Sequence, residues 1–192
     1  PSSASYVTMV KRVRSLSRLF KLAESSVIAT SRWIEQHPGV FPGEDPSFIA
    51  LVDDLRRVSD GLIDLRYVDA GGGLHVVPSS GRSPVVYVGD LHNIQVQFDP
   101  KTRGFFIADP LVSRVNKEWT IPMTYPVGGA RGEYPVVAAT IDISRIVPLL
   151  ESQRIKPRGT LVMVKLNGVT VARVPDFENR IGTSIADKRD FK

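Results

Sequence analysis

Cysteine is absent from the chain, which rules out thiolate metal sites, a cysteine nucleophile and any disulfide framework. The same absence suits an oxidising space outside the cytoplasm, where unpaired thiols are a liability. Long apolar runs are missing too, and none approaches the ~18 residues that a membrane-crossing helix requires. The three histidines, His37, His75 and His92, are too scattered for a helical metal pair or a His-Glu-x-x-His motif. Neither a Gly-x-Ser-x-Gly elbow nor a Ser-x-x-Lys motif occurs. Gly71-Gly72-Gly73 lacks both dinucleotide spacing and a following Lys-Ser/Thr, so it reads as a loop tip rather than a phosphate cradle. No strand alternates aromatic with basic residues, so a stacking platform for nucleic acid is lacking. These absences argue against an enzyme, and no metal or cofactor is expected.

What is there is the composition of a globular chain. With 42% hydrophobic and 23% charged residues over 192 positions, it suits one large domain, or one domain and part of a second. The net charge of +5 is uneven: Lys11, Arg12, Arg14, Arg18, Lys21 and Arg32 face only Glu24 and Glu35 in the first 36 residues. That basic helix reads first as a solvated face, and otherwise as a surface for an anionic membrane or nucleic acid. No signal peptide is visible, and a start at Pro1 without Met reads as an excised fragment.

Residues 5–36 predict one long helix. Tyr6, Met9, Val13, Leu16, Phe20, Ala23, Val27, Thr30 and Ile34 recur at alternating steps of three and four, a heptad seam that Pro38-Gly39 ends. Its length of about 45 Å exceeds what a domain of this size needs, so it projects, spans two lobes or pairs with a copy of itself. Trp33 near its end reads as packing. A second helix opens at Asp45 as N-cap with Pro46 in the first turn, carries an apolar stripe from Phe48 to Val58, and stops at Gly61. Asp53-Asp54 reads as its solvated face.

The period then changes. Leu62–Val68 and Leu74–Val77 predict a hairpin around Asp69–Gly73, followed by a short strand at Val85–Val88 and an irregular or helical piece at Asp90–Phe98. Gly104–Ala108, Trp119–Tyr125 and Tyr134–Ile143 predict further strands, the last running into a helix at Asp142. Thr160–Leu166 and Val169–Val174 flank Asn167-Gly168, which predicts a second hairpin on a two-residue turn with both residues at φ > 0. Strands gathered between helices imply an α+β fold with an antiparallel sheet.

That order of elements resembles the extracytoplasmic Cache (PDC) sensor domains, PAS-like modules of bacterial signalling receptors. Asp90 opens the segment that begins Asp-Arg in many of them. Gly104-Phe105-Phe106-Ile107-Ala108-Asp109-Pro110 is similar to their central strand with its following proline, and Glu118–Met123 to their tryptophan-led strand. Val136–Ile143 with Asp142 resembles their last sheet strand. Leu166-Asn167-Gly168, Ala172–Pro175 and Ile181-Gly182 resemble the hairpin opening a membrane-proximal lobe. The resemblance covers nearly the whole chain. It departs from amino-acid-binding relatives at Leu91, Asn93 and Ile94, which stand where those carry an arginine and an aromatic pair, while Asp142 stands at their acidic position.

The resemblance implies a long signalling helix over residues 1–39, a membrane-distal PAS-like lobe over 40–155, and the truncated start of a proximal lobe over 156–192. It also implies a periplasmic or extracellular domain of an inner-membrane receptor. That receptor senses a small molecule and feeds a diguanylate cyclase, a histidine kinase or a chemotaxis module. The partners expected are that ligand and a second copy of the chain paired through the long helix; nucleic acid is not expected. The candidate ligand site is His92, Arg103, Phe106, Trp119 and Asp142, with Arg103 as the anion partner. Trp119 either lines a pocket or fills core with Ile121, Met123 and Tyr125, and Asp142 either caps the next helix or faces a ligand amine. The rival reading is a dimerisation module that binds nothing.

Overall fold

The computed structural model describes residues 3–152, 161–175 and 179–186, and side chains from residue 17 onward. The first helix, α1, runs Ser3–Gln36 as predicted. Its seam from Ala23 through Val27 and Thr30 to Ile34 is buried against the strands β6 (Trp119–Pro126) and β7 (Val136–Asp142) of its own chain. Three hydroxyls on this buried stretch are satisfied, two within the helix and one by the sheet. Ser26 Oγ donates to the Leu22 carbonyl, Thr30 Oγ1 to that of Ser26, and Ser31 Oγ reaches the Pro126 carbonyl at 2.9 Å. The seam therefore serves the fold over this half. Tyr6, Met9, Val13 and Leu16, with Lys11, Arg12 and Arg14, have side chains outside the described residues.

Helix α2 (Pro46–Val58) opens as its sequence dictates. Asp45 accepts from the Ser47 and Phe48 amides at 2.8 and 3.1 Å, and the Ser47 hydroxyl, donating at 2.7 Å, with the Phe48 amide holds its carboxyl below the usual range. The Asp53-Asp54 face is solvated and ion-paired to Arg56 and Arg57.

A seven-stranded sheet follows, antiparallel in every pairing and ordered β3-β2-β1-β7-β6-β4, with β5 also on β6. Its strands are β1 (Asp64–Val68), β2 (Gly73–His75), β3 (Val86–Tyr87), β4 (Phe106–Ile107), β5 (Leu111–Val112), β6 and β7. The strand predicted over Gly104–Ala108 is shorter than expected, and β5 continues it along the same edge of β6. The break has a cause. Pro122 lacks an N–H for that edge, so only its carbonyl bonds there, to the Ala108 amide at 2.9 Å, and Asp109-Pro110 follows before β5 resumes the pairing. A short helix, α3 (His92–Gln95), lies in the irregular segment.

Strand alternation sorts the sheet into two faces. Leu65, Tyr67, Ile121, Met123, Val137, Ala139 and Ile141 join the large core under α1, α2 and α4 (Ile143–Glu151). Val68, Val136 and Ala138 point the other way, into a smaller cluster with Leu74, Val88 and Ile94.

The second hairpin, β8 (Leu161–Val164) with β9 (Thr170–Val174), forms its own two-stranded sheet. Val171, Ala172 and Val174 nevertheless join the large core, and α4 packs on β9. The turn differs from the expectation. Gly168 takes φ +83 and is the turn residue at positive φ, while its amide bonds the Lys165 carbonyl and the Lys165 amide bonds Val169. This is a four-residue turn over Lys165–Gly168 closed by a glycine bulge, in which the glycine alone supplies the left-handed residue.

Candidate functional site

The polar face of the sheet carries a cavity. β1, β7 and β6 supply its floor through Arg66, Ala138, Thr140, Thr120 and Pro122. Leu91, Asn93 and Ile94 from the α3 segment, Val86 and Val88, and Leu111, Ser113 and Val115 around β5 form its walls. It is small, with about 50 Å³ of space, several times what one buried water needs.

Two arginines give this aliphatic cavity its charge. Arg66, with its side chain only 10% exposed, places Nε and Nη2 on Asp64 Oδ2 at 3.0 and 2.7 Å. The other Asp64 oxygen accepts from Arg56 Nη2 at 3.0 Å, so one carboxylate serves two guanidinium groups. Nη1 of Arg66 has no protein partner among the described residues. Arg114 is saturated: both its terminal nitrogens bond Asp90 at 2.7 Å and Nη1 also reaches the Tyr87 carbonyl at 2.9 Å. Hydrogen bonding by Arg114 holds the Asp90 carboxyl below its ordinary range. Asn93 is 5% exposed, and its side chain has no partner among the described residues.

The wall is fixed by a buried amide. Gln97 donates Nε2 to the Gly104 carbonyl at 2.9 Å and to Thr124 Oγ1 at 2.8 Å, and its Oε1 accepts from the Gly104 amide at 3.0 Å. Thr124 Oγ1 in turn donates to the Asn93 carbonyl at 2.7 Å. Strand β6, the α3 segment and the start of β4 are thereby one unit.

The residues predicted as a site are scattered. His92 and Phe106 meet edge to face at 5.7 Å, beside the cavity and not in its lining. Arg103 donates to the Gly129 carbonyl at 2.9 Å in a distant loop. Trp119 points to the opposite face and is 38% exposed. It lies over Gly182, where a Cβ would meet the ring at 3.0 Å and where φ is +79. Asp142 stands on the cavity face, at the N-cap position of α4, but makes no capping bond. Asn116 Nδ2 approaches it at 3.5 Å and Arg145 at 3.9 Å.

Sequence reasoning missed Arg66, Asn93, Thr120 and Thr140. A signal existed for two of them: Arg66 interrupts an apolar strand, and Thr140 interrupts Val-Val-Ala-Ala, both at alternate positions. Pairing β1 with β7 was the missing information.

No protein-family model and no curated protein sequence matches this chain. Solved structures do. An extracellular ligand-binding receptor from Desulfohalobium retbaense is similar at TM-score 0.70 and 15% identity, over 99% of this chain and 34% of that one. The ligand-binding domain of the Pseudomonas aeruginosa amino-acid chemoreceptor PctC, in complex with GABA, is similar at TM-score 0.65 and 11% identity, covering 97% and 80%. The periplasmic sensory domain of the Campylobacter jejuni chemoreceptor Tlp1 is similar at TM-score 0.65 and 11% identity, covering 92% and 73%. The chain thus spans about a third of the Desulfohalobium receptor and most of the chemoreceptor domains. From β1 to β9 it has the fold of these extracellular and periplasmic ligand-binding domains, the α+β, PAS-like fold that its resemblance to Cache domains implies.

Proposed function

We propose that the chain is an extracytoplasmic ligand-sensing domain of a membrane-anchored bacterial signalling receptor, and not an enzyme. The observation that carries this reading is the aliphatic cavity between the sheet and the α3 segment, lined by Arg66, whose Nη1 is left over from its pairing with Asp64, and by Asn93. Proteins of this fold solved with a ligand support it, since PctC was solved with GABA and a Campylobacter chemoreceptor, Tlp3, with valine and norvaline. Arg66, Asn93, Thr120 and Thr140 are the residues assigned to the ligand, with Asp142 at the border of the site. His92 and Phe106 brace the wall.

Residues 40–155 are the distal sensing lobe in this reading, and 156–192 begin a proximal lobe. The helix over 1–39 carries the signal towards the inner membrane. Its buried half ties it to β6 and β7, the strands that floor the cavity, so a shift of the sheet moves the helix. Two copies pair through this helix in the same reading, while Ala23–Ile34 is buried within the chain's own fold. Such a helix transmits by moving between discrete packings, to the extent that the ligand prefers one of them. A thermal-shift screen of the purified chain with organic acids, amino acids, amines and purines tests the reading. A ligand at 100 times its Kd raises stability by about 2.7 kcal/mol. A blank across all classes removes the sensing role.

A further inference from the structure

We infer that the cavity is built for a short aliphatic monocarboxylate without an ammonium group, an inference that rests on the sensing role proposed above. Its lining is aliphatic at Leu74, Val86, Leu91, Ile94, Leu111 and Ala138, which suits a hydrocarbon tail. Its lining includes two guanidinium groups and no carboxylate. The acids nearest to them are already engaged: Asp64 lies between Arg56 and Arg66, and Asp90 is held at both oxygens by Arg114. Arg56 is paired to Asp53 as well, at 3.1 Å, so these charges balance, and what faces the cavity is a free guanidinium N–H of Arg66 rather than a net charge. The open Nη1 of Arg66 and the Asn93 amide supply donors for a carboxylate, and Arg66 is buried enough for that pairing to be strong.

An ammonium meets the opposite conditions. Among the described residues no aromatic ring and no carboxylate lines the cavity, and Asp142 stands only at its border, so an α-amino acid inside would bury a cation beside a guanidinium with only neutral oxygens to bond. Neutral acceptors satisfy geometry but do not balance charge, and an unbalanced buried cation is costly. The cavity wall over residues 91–94 supplies Leu91, Asn93 and Ile94 and no cation. The anion partner is instead on β1.

Pentanoate, pentanamide and norvaline form the test, since they share a tail and differ at the head: a carboxylate, a neutral amide, and a carboxylate with an α-ammonium beside it. Calorimetric titration of the purified chain is expected to show pentanoate binding more than about tenfold tighter than either of the others. Arg66→Met is expected to erase the preference of pentanoate over pentanamide, and Ala138→Phe, which fills the cavity, to abolish binding of both. Comparing the probes on the unaltered chain needs no variant, so misfolding of Arg66→Met leaves the result decided. Norvaline binding as tightly as pentanoate overturns the inference, as does binding of none of the three. If an amine or purine then stabilises the chain and Ala138→Phe removes that effect, the sensing role survives while the ligand class fails. If Ala138→Phe changes the binding of no compound, both fail.

Discussion

The two faces of the central sheet come from the same strands and were built to different ends. In β7, Val137, Ala139 and Ile141 turn to the helices and vanish into the large core, whereas Ala138, Thr140 and Asp142 turn to the cavity. The helix-covered face is closed by aromatic packing. Tyr67 stacks on His75 at 5.0 Å and meets Phe48 and Tyr134 edge-on at 5.9 and 5.2 Å. The cavity face has small and β-branched side chains and leaves room. One face is closed by packing and the other leaves a concave space lined by aliphatic side chains with Arg66, Asn93, Thr120 and Thr140 among them.

The largest effect expected is therefore on the closed face. Phe48→Ala should cost about 3–5 kcal/mol in urea denaturation, because Phe48 is fully buried between Trp33 and Tyr67. Thr140→Val on the open face should change stability by well under that while altering affinity for any cavity ligand. Equal losses would erase the distinction between the faces.

Next comes the unit that holds the cavity wall. Gln97→Leu leaves Thr124 Oγ1 and the Gly104 backbone without their partner, at a cost of about 1–3 kcal/mol, and should raise hydrogen exchange at Asn93 to Gln97. Unchanged exchange there would show that the wall is held otherwise. Tyr67→Phe is smaller still, removing the bond that the Gly43 amide donates to the phenol at 3.0 Å, about 0.5–1.5 kcal/mol. Burial pushes the Tyr67 hydroxyl above its ordinary pKa, and Tyr134 likewise up to about 12, so both phenols stay neutral throughout the physiological range.

Acid should expose a further difference. Burial acts to raise the Asp69 carboxyl, but hydrogen bonds from His75 and from the Gly73 and Gly71 amides outweigh it and hold the group below its ordinary value. The unfolded chain then takes up the proton first. The stabilisation is present above the unfolded pKa near 4 and is lost as pH falls through the lower, folded value. Asp69→Asn should flatten that acid limb in a pH series of melting temperatures. An unaltered limb would assign acid loss to other carboxylates.

The smallest effect is expected where the second hairpin touches the sheet. Lys165 Nζ bonds Asp109 Oδ1 at 2.6 Å and the Ile107 carbonyl at 3.0 Å, and the lysine holds the Asp109 carboxyl below its usual range. Asp109 is half exposed, so solvent limits Lys165→Ala to at most about 1 kcal/mol. A larger loss, seen as early release of β8 and β9 in hydrogen exchange, would make this contact a true latch.

Local grammar was legible residue by residue. Asp45-Pro46 begins a helix wherever it is placed, because the cap and the fixed φ are properties of those residues. The alternation in Val136–Asp142 specifies a strand with two unlike faces in the same way. Where the strands are broken was half legible: Pro110 announced a stop, but the edge that continues as β5 depends on Pro122 of another strand. The site was least legible. Family position pointed to Arg103, which a chain reversal carries to Gly129, and to Trp119, which alternation sends to the opposite face from Thr120.

The sequence by itself determined the helices, the strand alternation, the turn glycines and the absence of thiol chemistry, since each follows from near neighbours along the chain. Only the tertiary structure decided that Arg66 would be the cation in the cavity, that Asp64 would be shared by two arginines, and that half of the heptad seam would be spent on the sheet. Those outcomes depend on which strand lies beside which, and the register of β1 on β7 is set by the packing of the whole sheet.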